Sequence, residues 1–323
     1  MLIVRRIALA FVSLALAGNV ALAQTFPNKP LRLIVPYPPA SVPDILARLV
    51  AESVGTRLKQ PVVVENRAGA GGTIAADAAA KSAPDGYTLL VGDSGPLAIA
   101  PWIYPRISYA PARDFAAVAS LVAVPLVMVV PRASTVRSPA DFVAQAKVPG
   151  AGLYYGSLGM GSIHHLAAEV FSAATGMKLV HVPYKSNAEL TAAVVNGDVQ
   201  MAFSGIPAVD AFIKEGRMRA AGVTTARRSN VLPEVRTFQE QGIQEFEVAP
   251  TIGIVAPAGV PADRLKLLEE AFLAALKEPK VAERLDGLGM MPRPAGAAAY
   301  AATIAAELDR FGKVVKAAGI QPQ

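Results

Sequence analysis

The 323-residue chain contains no cysteine. This absence excludes disulfide bonds, thiol catalysis, cysteine-ligated zinc and the lipid-anchor cysteine of bacterial lipoproteins. Histidine is also scarce: His164, His165 and His181 are the three in the chain, and no H-E-x-x-H or comparable metal signature accompanies them. We therefore expect neither a metal site nor a cofactor.

Basic runs and aromatic residues are scarce as well. Aromatic side chains make up 6% of the chain, the formal net charge is +6, and lysine and arginine form no cluster. Nucleic-acid binding has little support from this pattern. A mild positive charge favours small anions, although a basic surface without a specific function is the more common explanation.

Long apolar segments are missing except at the N-terminus. There, Arg5 and Arg6 precede an apolar run, residues 7–17, and Ala21-Leu22-Ala23 follows it. This order is typical of a secretory signal peptide, and the run is shorter than the about 20 residues that cross a bilayer. We predict a cleaved signal peptide, residues 1–23, with an uncleaved anchor as the alternative. A secreted chain with no disulfide or lipid anchor indicates the periplasm of a Gram-negative bacterium.

Strand-like and helix-like patterns alternate along the rest of the chain, which predicts an α/β fold. Apolar runs at 31–35, 62–65 and 88–91 alternate with helical patterns at 44–59 and 73–82, as in parallel sheets with crossover helices. We expect a second, similar series to follow, and then two amphipathic helices near residues 261–277 and 296–318.

The order of these series predicts two domains. Domain 1 comprises residues 24–124 and 250–323, and domain 2 comprises residues 125–249. The chain then crosses twice between them, which makes a hinge, and ligands of such folds bind where strand carboxyl ends face the cleft.

Five turns that follow predicted strands are rich in serine, glycine and backbone donors. One of them, Gly156–Ser162, opens a helix and resembles an anion-binding site, although an ordinary serine N-cap is an equal alternative. His165 either reaches this turn or packs in the core. The turns lack a nucleophile-base pair and paired carboxylates, which indicates binding rather than catalysis. The candidate ligand contacts are Tyr37, Ala40, Ser41, Ser94, Gly95, Ser157, Gly161, Ser162, His165, Tyr184, Ser186 and Ser204.

The segment VGDSGPL, residues 91–97, is similar to the nucleophile segment of trypsin-like proteases. Those enzymes need an earlier histidine and an all-β fold, whereas every histidine here follows Ser94. We interpret the match as a coincidence and expect Ser94 to donate a hydrogen bond into the cleft. A hydrolase that uses Ser94 stays a distant alternative.

Several longer segments resemble the Bug-type periplasmic solute receptors of tripartite tricarboxylate transporters. They are RLIVPYPP, QPVVVENRAGAGG, APDGYTLLVG, GSLGMGSIHHLAAE, HVPYK, AAGVTTARRSNVLPEVRTFQEQG and GIVAPAGVP, in family order. The resemblance implies a two-lobed type II periplasmic binding protein fold that closes on a small carboxylate and delivers it to integral membrane subunits. A sensory receptor on the same fold is the alternative. We expect a monomer and no enzymatic activity.

The chain departs from the family pattern at several site positions. Ala40-Ser41 replaces a usual Gly-Gly pair, Ser204 stands where amino-acid-binding members can carry Asp, and Thr251 stands where Trp is frequent. The resemblance therefore adds Thr251 to the candidate contacts and implies a ligand without an amino group, either a di- or tricarboxylate or an aromatic acid. Two roles are open for Trp102: stacking on an aromatic ligand, or packing against the nearby prolines.

Overall fold

The computed structural model describes residues 26–148, 152–244 and 246–320. The predicted signal peptide, residues 1–23, lies outside them. Among the described residues, none of the helices combines the length and the apolar character that a membrane crossing requires.

The described strands form two sheets. The first has the order β11-β4-β10-β3-β1-β2 and the second has the order β7-β6-β8-β5-β9. In each sheet one strand, β1 or β6, pairs in parallel with both of its neighbours, as the alternating patterns predict. The strands are β1 (Leu31–Val35), β2 (Val62–Asn66), β3 (Thr88–Gly92), β4 (Phe115–Ala123), β5 (Leu126–Pro131), β6 (Tyr154–Ser157), β7 (Val180–Pro183), β8 (Met201–Gly205), β9 (Met218–Val223), β10 (Thr251–Pro257) and β11 (Met291–Gly296).

Helices cover the sheets and mostly begin just after a strand. A π-helical turn, Gly95–Ile99, leads directly into α3. The helices are α1 (Val42–Leu58), α2 (Thr73–Ala80), α3 (Ala100–Ile103), α4 (Pro111–Asp114), α5 (Pro139–Ala146), α6 (Ile163–Thr175), α7 (Asn187–Asn196), α8 (Ile206–Lys214), α9 (Ala262–Ala275), α10 (Pro279–Gly287) and α11 (Ala297–Ala317).

Each sheet has a hydrophobic core of its own. Leu33 and Val35 of β1 are fully buried with residues of α1 and α9. On the second sheet, Phe171, Phe203 and Phe238 pack with ring centroids 5.5 to 5.9 Å apart. Because burial of apolar surface is the main stabilising term, two separate cores explain why the molecule has two lobes.

Two chain crossings connect the lobes and are hydrogen-bonded to each other. The Val124 N–H donates to the Pro250 carbonyl oxygen at 3.0 Å. The fully buried Thr224 hydroxyl accepts from the Leu126 N–H at 3.1 Å and donates to the Val248 carbonyl oxygen at 2.6 Å. The predicted two-lobed fold with a two-crossing hinge is confirmed, while the predicted domain boundaries stay a prediction.

The C-terminal region contains elements that the sequence pattern did not reveal. Besides the two expected helices, the structure has α10 and the strand β11. Pro292 and Pro294 lie within β11, and proline cannot donate to a strand ladder. The strand forms because it lies at the edge of its sheet, paired with β4 alone.

Candidate ligand-binding site

The loop after β1 and the turn after β3 are held together by one carboxylate. The Tyr37 hydroxyl donates to Asp93 Oδ1 at 3.1 Å, and the Gly95 N–H donates to the same oxygen at 3.1 Å. A Cβ atom on Gly95 would collide with the Tyr37 hydroxyl, so this position requires glycine. The structure therefore brings together the predicted contacts Tyr37 and Gly95.

Asp44 holds the other end of the first loop. Its carboxylate accepts from the Ala40 N–H at 2.8 Å and from Asn66 Nδ2 at 2.8 Å, and it pairs with Arg48 at 3.0 Å. Burial raises the pKa of Asp44, but the hydrogen bonds from Arg48 and Asn66 more than offset this and lower it overall. Asp44 therefore holds the Ala40 amide and fixes this end of the loop.

The backbone donors expected at Ala40 and Ser41 are already used within the loop. The Ala40 N–H bonds to Asp44, and the Ser41 N–H donates to the Pro38 carbonyl oxygen at 3.2 Å. Both amides therefore already have acceptors within the loop, and their contact with a ligand stays a prediction. Ala40 also has φ of 63°, so the alanine adopts the left-handed conformation that glycine tolerates best.

The Ser41 side chain, in contrast, is free. Ser41 is the N-cap of the 17-residue helix α1, yet its hydroxyl does not cap the helix. Within the described part of the chain, its oxygen is buried and has no hydrogen-bond partner. A buried hydroxyl without a partner is unfavourable, which makes it available to a ligand.

The Ser94 hydroxyl points into its own lobe rather than to the cleft. It donates to Glu307 Oε2 of α11 at 2.8 Å, and the Thr251 N–H lies 3.4 Å from Glu307 Oε1. The expectation that Ser94 donates into the cleft is thus corrected. Burial raises the pKa of Glu307 and raises that of Asp93 to about 7. No local sequence pattern points to Glu307, because its partners are more than 50 residues away along the chain.

Trp102 packs against the last helix. Its indole N–H donates to the Leu308 carbonyl oxygen at 2.8 Å, and the absent side chain of Gly312 leaves room for the ring. Trp102 therefore packs on α11 of its own lobe, while its contact with a ligand or with the nearby prolines stays a prediction.

In the second lobe, the turn between β6 and α6 is bonded to itself. The fully buried Ser157 hydroxyl accepts from the Gly159 N–H at 3.0 Å and lies 2.5 Å from His181 Nε2. Ser162 caps α6, since its hydroxyl accepts from the His165 N–H at 3.3 Å and donates to the Gly159 carbonyl oxygen at 2.8 Å. Three predicted contacts, Ser157, Gly161 and Ser162, thus lie in one turn.

A buried histidine, His165, and a half-buried one, His181, lie behind this turn. His165 Nδ1 accepts from the Gly161 N–H at 3.1 Å, and the rings of His165 and His181 stack with centroids 4.3 Å apart. Burial, aided by His181, lowers the pKa of His165 to about 4. Both alternatives for His165 therefore hold: it packs in the core and it reaches the turn.

The remaining predicted contacts lie at neighbouring strand and helix ends. The Tyr184 N–H donates to the Ser157 carbonyl oxygen at 2.9 Å. The Ser186 hydroxyl caps α7 by accepting from the Glu189 N–H at 3.2 Å. Ser204, at the end of β8, is 3% exposed, and Thr251 begins β10 opposite Ala123.

The two lobes meet at two of these sites. A Cβ atom on Gly205, the N-cap of α8, would lie 3.7 Å from Cγ2 of Val42, the first residue of α1. A Cβ atom on Gly161 would lie 3.1 Å from Cγ1 of Ile103. The start of α1 therefore faces the turn after β8, and α3 faces the turn after β6. Whether they bind a ligand stays a prediction.

A two-lobed α/β fold with serine- and glycine-rich turns between the lobes defines a solute-binding receptor. Residues 46–320 match the family described as "Tripartite tricarboxylate transporter family receptor". The chain belongs to this family, as the sequence resemblance predicts.

Individual relatives are similar over nearly their whole length. Protein BugT of Bordetella pertussis is 35% identical over 318 residues, which cover 98% of both chains. The solved structure "R. palustris Rpa4515 with adipate" has a TM-score of 0.85 at 32% identity, covering 92% of this chain and 100% of that one. MatC from Rhodopseudomonas palustris, with bound malate, has a TM-score of 0.80 at 29% identity, covering 90% and 100%.

Proposed function

We propose that the protein is a periplasmic receptor that binds a small carboxylate without an amino group between its lobes and delivers it to integral membrane transporter subunits. The observation that supports this most strongly is the meeting of α1 and α8, whose N-terminal ends come from different lobes and lie side by side at Val42 and Gly205.

Helix N-termini carry partial positive charge and unpaired N–H groups. Two such ends placed together repel each other, and an anion between them removes that repulsion and accepts from their amides. The buried, unpartnered Ser41 hydroxyl at the start of α1 adds a donor at the same place. A carboxylate satisfies all of these groups.

The neighbouring acids argue against an amino-acid ligand. The Asp44 carboxylate is occupied by Ala40, Asn66 and Arg48, and Asp93 is occupied by Tyr37 and Gly95. Ser204 is neutral, so an ammonium group has no free counter-charge among these residues. Adipate and malate, which the two R. palustris relatives hold, are both dicarboxylates without an amino group.

The location and partners follow from the family and the leader sequence. The A-x-A leader and the absence of cysteine favour a free periplasmic protein. The family's name supports delivery to a transporter. A receptor role without catalysis is favoured because the Ser94 hydroxyl, the proposed nucleophile of the alternative, is bonded to Glu307 instead of a histidine.

Isothermal titration tests the ligand class with the chain lacking residues 1–23. The panel contains adipate, malate, citrate, benzoate, glutamate and aspartate. We expect heat from at least one non-amino acid and none from glutamate or aspartate. Ser41→Ala should weaken binding about tenfold, since a hydrogen bond to a charged group is lost.

A matched control is Ser138→Ala. Like Ser41, Ser138 is the N-cap of a helix that has a proline in its first turn. Its hydroxyl already caps α5, and it lies in the second lobe. This variant should bind as the wild type does. Tight binding of glutamate or aspartate alone would overturn the ligand class. Capture of the two membrane subunits, or of a sensor kinase instead, decides between delivery and signalling.

A further inference from the structure

The turn between β6 and α6, Ser157–Ser162, has little conformational preference of its own. Gly159 and Gly161 have φ of 99° and 74°, and glycine visits many other backbone conformations at similar energy. A binding turn that has to be ordered by its ligand loses affinity, whereas one that is held in place beforehand does not. Within the turn, Ser157 and Ser162 bond to Gly159, whereas the Gly161 N–H has its acceptor, His165, outside the turn.

Two histidines hold the turn at its two ends. At the strand end, His181 Nε2 lies 2.5 Å from the Ser157 hydroxyl, which in turn accepts from the Gly159 N–H. At the helix end, His165 Nδ1 accepts from the Gly161 N–H. The two imidazoles stack at 4.3 Å, and Tyr155 stacks on His181 at 5.0 Å, so the ring positions are themselves fixed by packing.

The hydrogen bond from Gly161 also defines the charge state of His165. Because His165 Nδ1 accepts a bond from Gly161, it carries a lone pair, and the ring proton is on Nε2, which lies 3.9 Å from Glu169 Oε1. Protonation of Nδ1 would break the bond to the turn and place a cation against the stacked ring of His181. The other titratable group facing the pair is Tyr155, whose hydroxyl donates to Glu169 at 2.6 Å.

We propose that His165 and His181 are positioning residues for ligand binding: His165 as a neutral imidazole that accepts from Gly161, and His181 through its contact with Ser157, fix the turn Ser157–Ser162 in the conformation that accepts a carboxylate. The inference rests on the proposed function, since the turn is a ligand site only if a carboxylate binds between the lobes. Neither ring needs to touch the ligand. The lowered pKa of His165, about 4, agrees with a ring that stays neutral at periplasmic pH.

The test compares paired variants with adipate as the probe. Asparagine can place its oxygen near Nδ1 and glutamine can place its amide near Nε2, whereas phenylalanine keeps the stacking and loses the polar contact. We expect His165→Phe and His181→Phe to weaken adipate binding about tenfold, because each removes one buried hydrogen bond. His165→Asn and His181→Gln should bind within about threefold of wild type.

His164 offers a matched control on the same helix. Burial lowers its pKa to about 4 as well, but within the described residues its Nδ1 has no partner and it makes no bond to the turn. His164→Phe should leave the affinity for adipate unchanged.

Two readouts separate positioning from a general structural role. The first is hydrogen exchange of the peptide that contains Gly159 and Gly161, measured without ligand. It should rise about tenfold in the phenylalanine variants and remain near wild type in His165→Asn. The second is the pH profile of affinity. The wild type should lose affinity more steeply than His165→Asn as the pH falls toward 4, while titration of adipate itself affects both equally.

The results separate this inference from the proposed function. Unchanged affinity and exchange in both phenylalanine variants would overturn it, and so would equal losses in His165→Asn and His165→Phe. If the phenylalanine variants do not fold, the asparagine variant and the pH profile still decide. If the wild-type protein does not bind adipate, adipate is not its ligand. The hydrogen-exchange experiment needs no ligand and still tests whether the two histidines hold the turn.

Discussion

The two lobes hold their candidate binding turns with opposite chemistry. In the first lobe, carboxylates anchor the turns: Asp44 bonds the Ala40 N–H, and Asp93 bonds Tyr37 and the Gly95 N–H. In the second lobe, imidazoles do so, since His165 accepts from Gly161 and His181 contacts Ser157. An acid can anchor N–H groups as an anion, whereas a histidine must be neutral to accept a bond.

Burial favours the neutral form of one anchoring group in each lobe. It raises the pKa of Asp93 to about 7 and lowers the pKa of His165 to about 4. Asp44 differs, because its hydrogen bonds from Arg48 and Asn66 lower its pKa overall and keep it ionised.

The largest expected effect comes from removing the acid that anchors the first loop. Asp44 is 2% exposed, and Asp44→Ala leaves the Ala40 N–H and Asn66 without their partner. We expect unfolding free energy to fall by about 3 kcal/mol, measured by urea denaturation, and ligand affinity to fall with it. Asp309→Ala, which breaks an exposed ion pair with Lys313 at the same spacing, should change stability by less than about 0.5 kcal/mol. Equal losses in both variants would contradict the anchoring role.

The second prediction concerns stability at acidic pH. We expect the second lobe, whose turn is anchored by imidazoles, to lose stability before the first lobe as the pH falls. The pKa of His165 is lowered from 6.5 to about 4 in the folded protein, so its contribution is present above 6.5 and is lost as the pH falls toward 4. The unfolding free energy should fall by roughly 3 kcal/mol at most over this pH range. Urea denaturation of wild type and His165→Asn between these pH values should show a shallower slope for the variant. Parallel plots of unfolding free energy against pH would show that the pKa of His165 is the same in the folded and unfolded states.

Asp93 should respond to pH in the opposite direction. Its pKa is raised from 3.8 to about 7, so its contribution is present below 3.8 and is lost as the pH rises toward 7. Asp93→Asn keeps an acceptor for Tyr37 and removes the charge. We expect a gain of roughly 1 to 2 kcal/mol relative to wild type above this range and little difference at low pH, measured by thermal unfolding. A loss of stability above this pH range, with none at low pH, would contradict this and indicate that Asp93 is needed as an anion.

Contact between the lobes can be tested at two glycines of one turn. Gly161→Ala introduces left-handed strain of about 1 to 2 kcal/mol and a contact with Ile103 across the cleft, where a Cβ atom would lie 3.1 Å away. Gly159→Ala introduces similar strain, but no atom lies within 4 Å of its Cβ position. Both should lose similar stability, while Gly161→Ala should lose additional ligand affinity in calorimetry. Equal affinities would mean that closure does not bring Ile103 against the turn.

The smallest expected effect is at Ala40, in the acid-anchored loop. Ala40→Gly relieves a φ of 63° and should raise stability by about 0.5 to 1 kcal/mol. Lys59→Gly is the control, because Lys59 has φ of 53° at the far end of α1 and should gain similarly without any change in binding. Ala40→Gly combined with Ser41→Gly should change the preference among carboxylates. The same affinities across the panel would show that this loop only connects β1 to α1.

Much of the fold could be predicted because it is written in local patterns. Parallel strands such as β1 and β3 are continuous apolar runs, and helix starts such as Ser138 and Ser162 carry N-cap residues. The strand β11 could not be predicted, because Pro292 and Pro294 argue against a strand in the sequence pattern. The strand forms because it lies at the edge of its sheet.

The site was predictable as a set of turns but not as a set of contacts. Strand ends in an α/β fold point to one edge, so the turns at Tyr37 and Ser157 could be named in advance. The direction of each side chain depends on partners far away in sequence. Ser94 bonds Glu307, Trp102 packs on α11, and no local pattern contains either contact.

Residue types and local periodicity were enough to predict the α/β architecture, the absence of thiol chemistry, the family and the candidate binding turns. Tertiary structure decided which polar groups remain available. Hydrogen-bond partners and burial are properties of the folded arrangement: they commit the Ala40 and Ser41 amides to the loop and leave the Ser41 hydroxyl unpartnered among the described residues. The folded arrangement also stacks His165 on His181 behind the turn Ser157–Ser162, a contact that the sequence does not show.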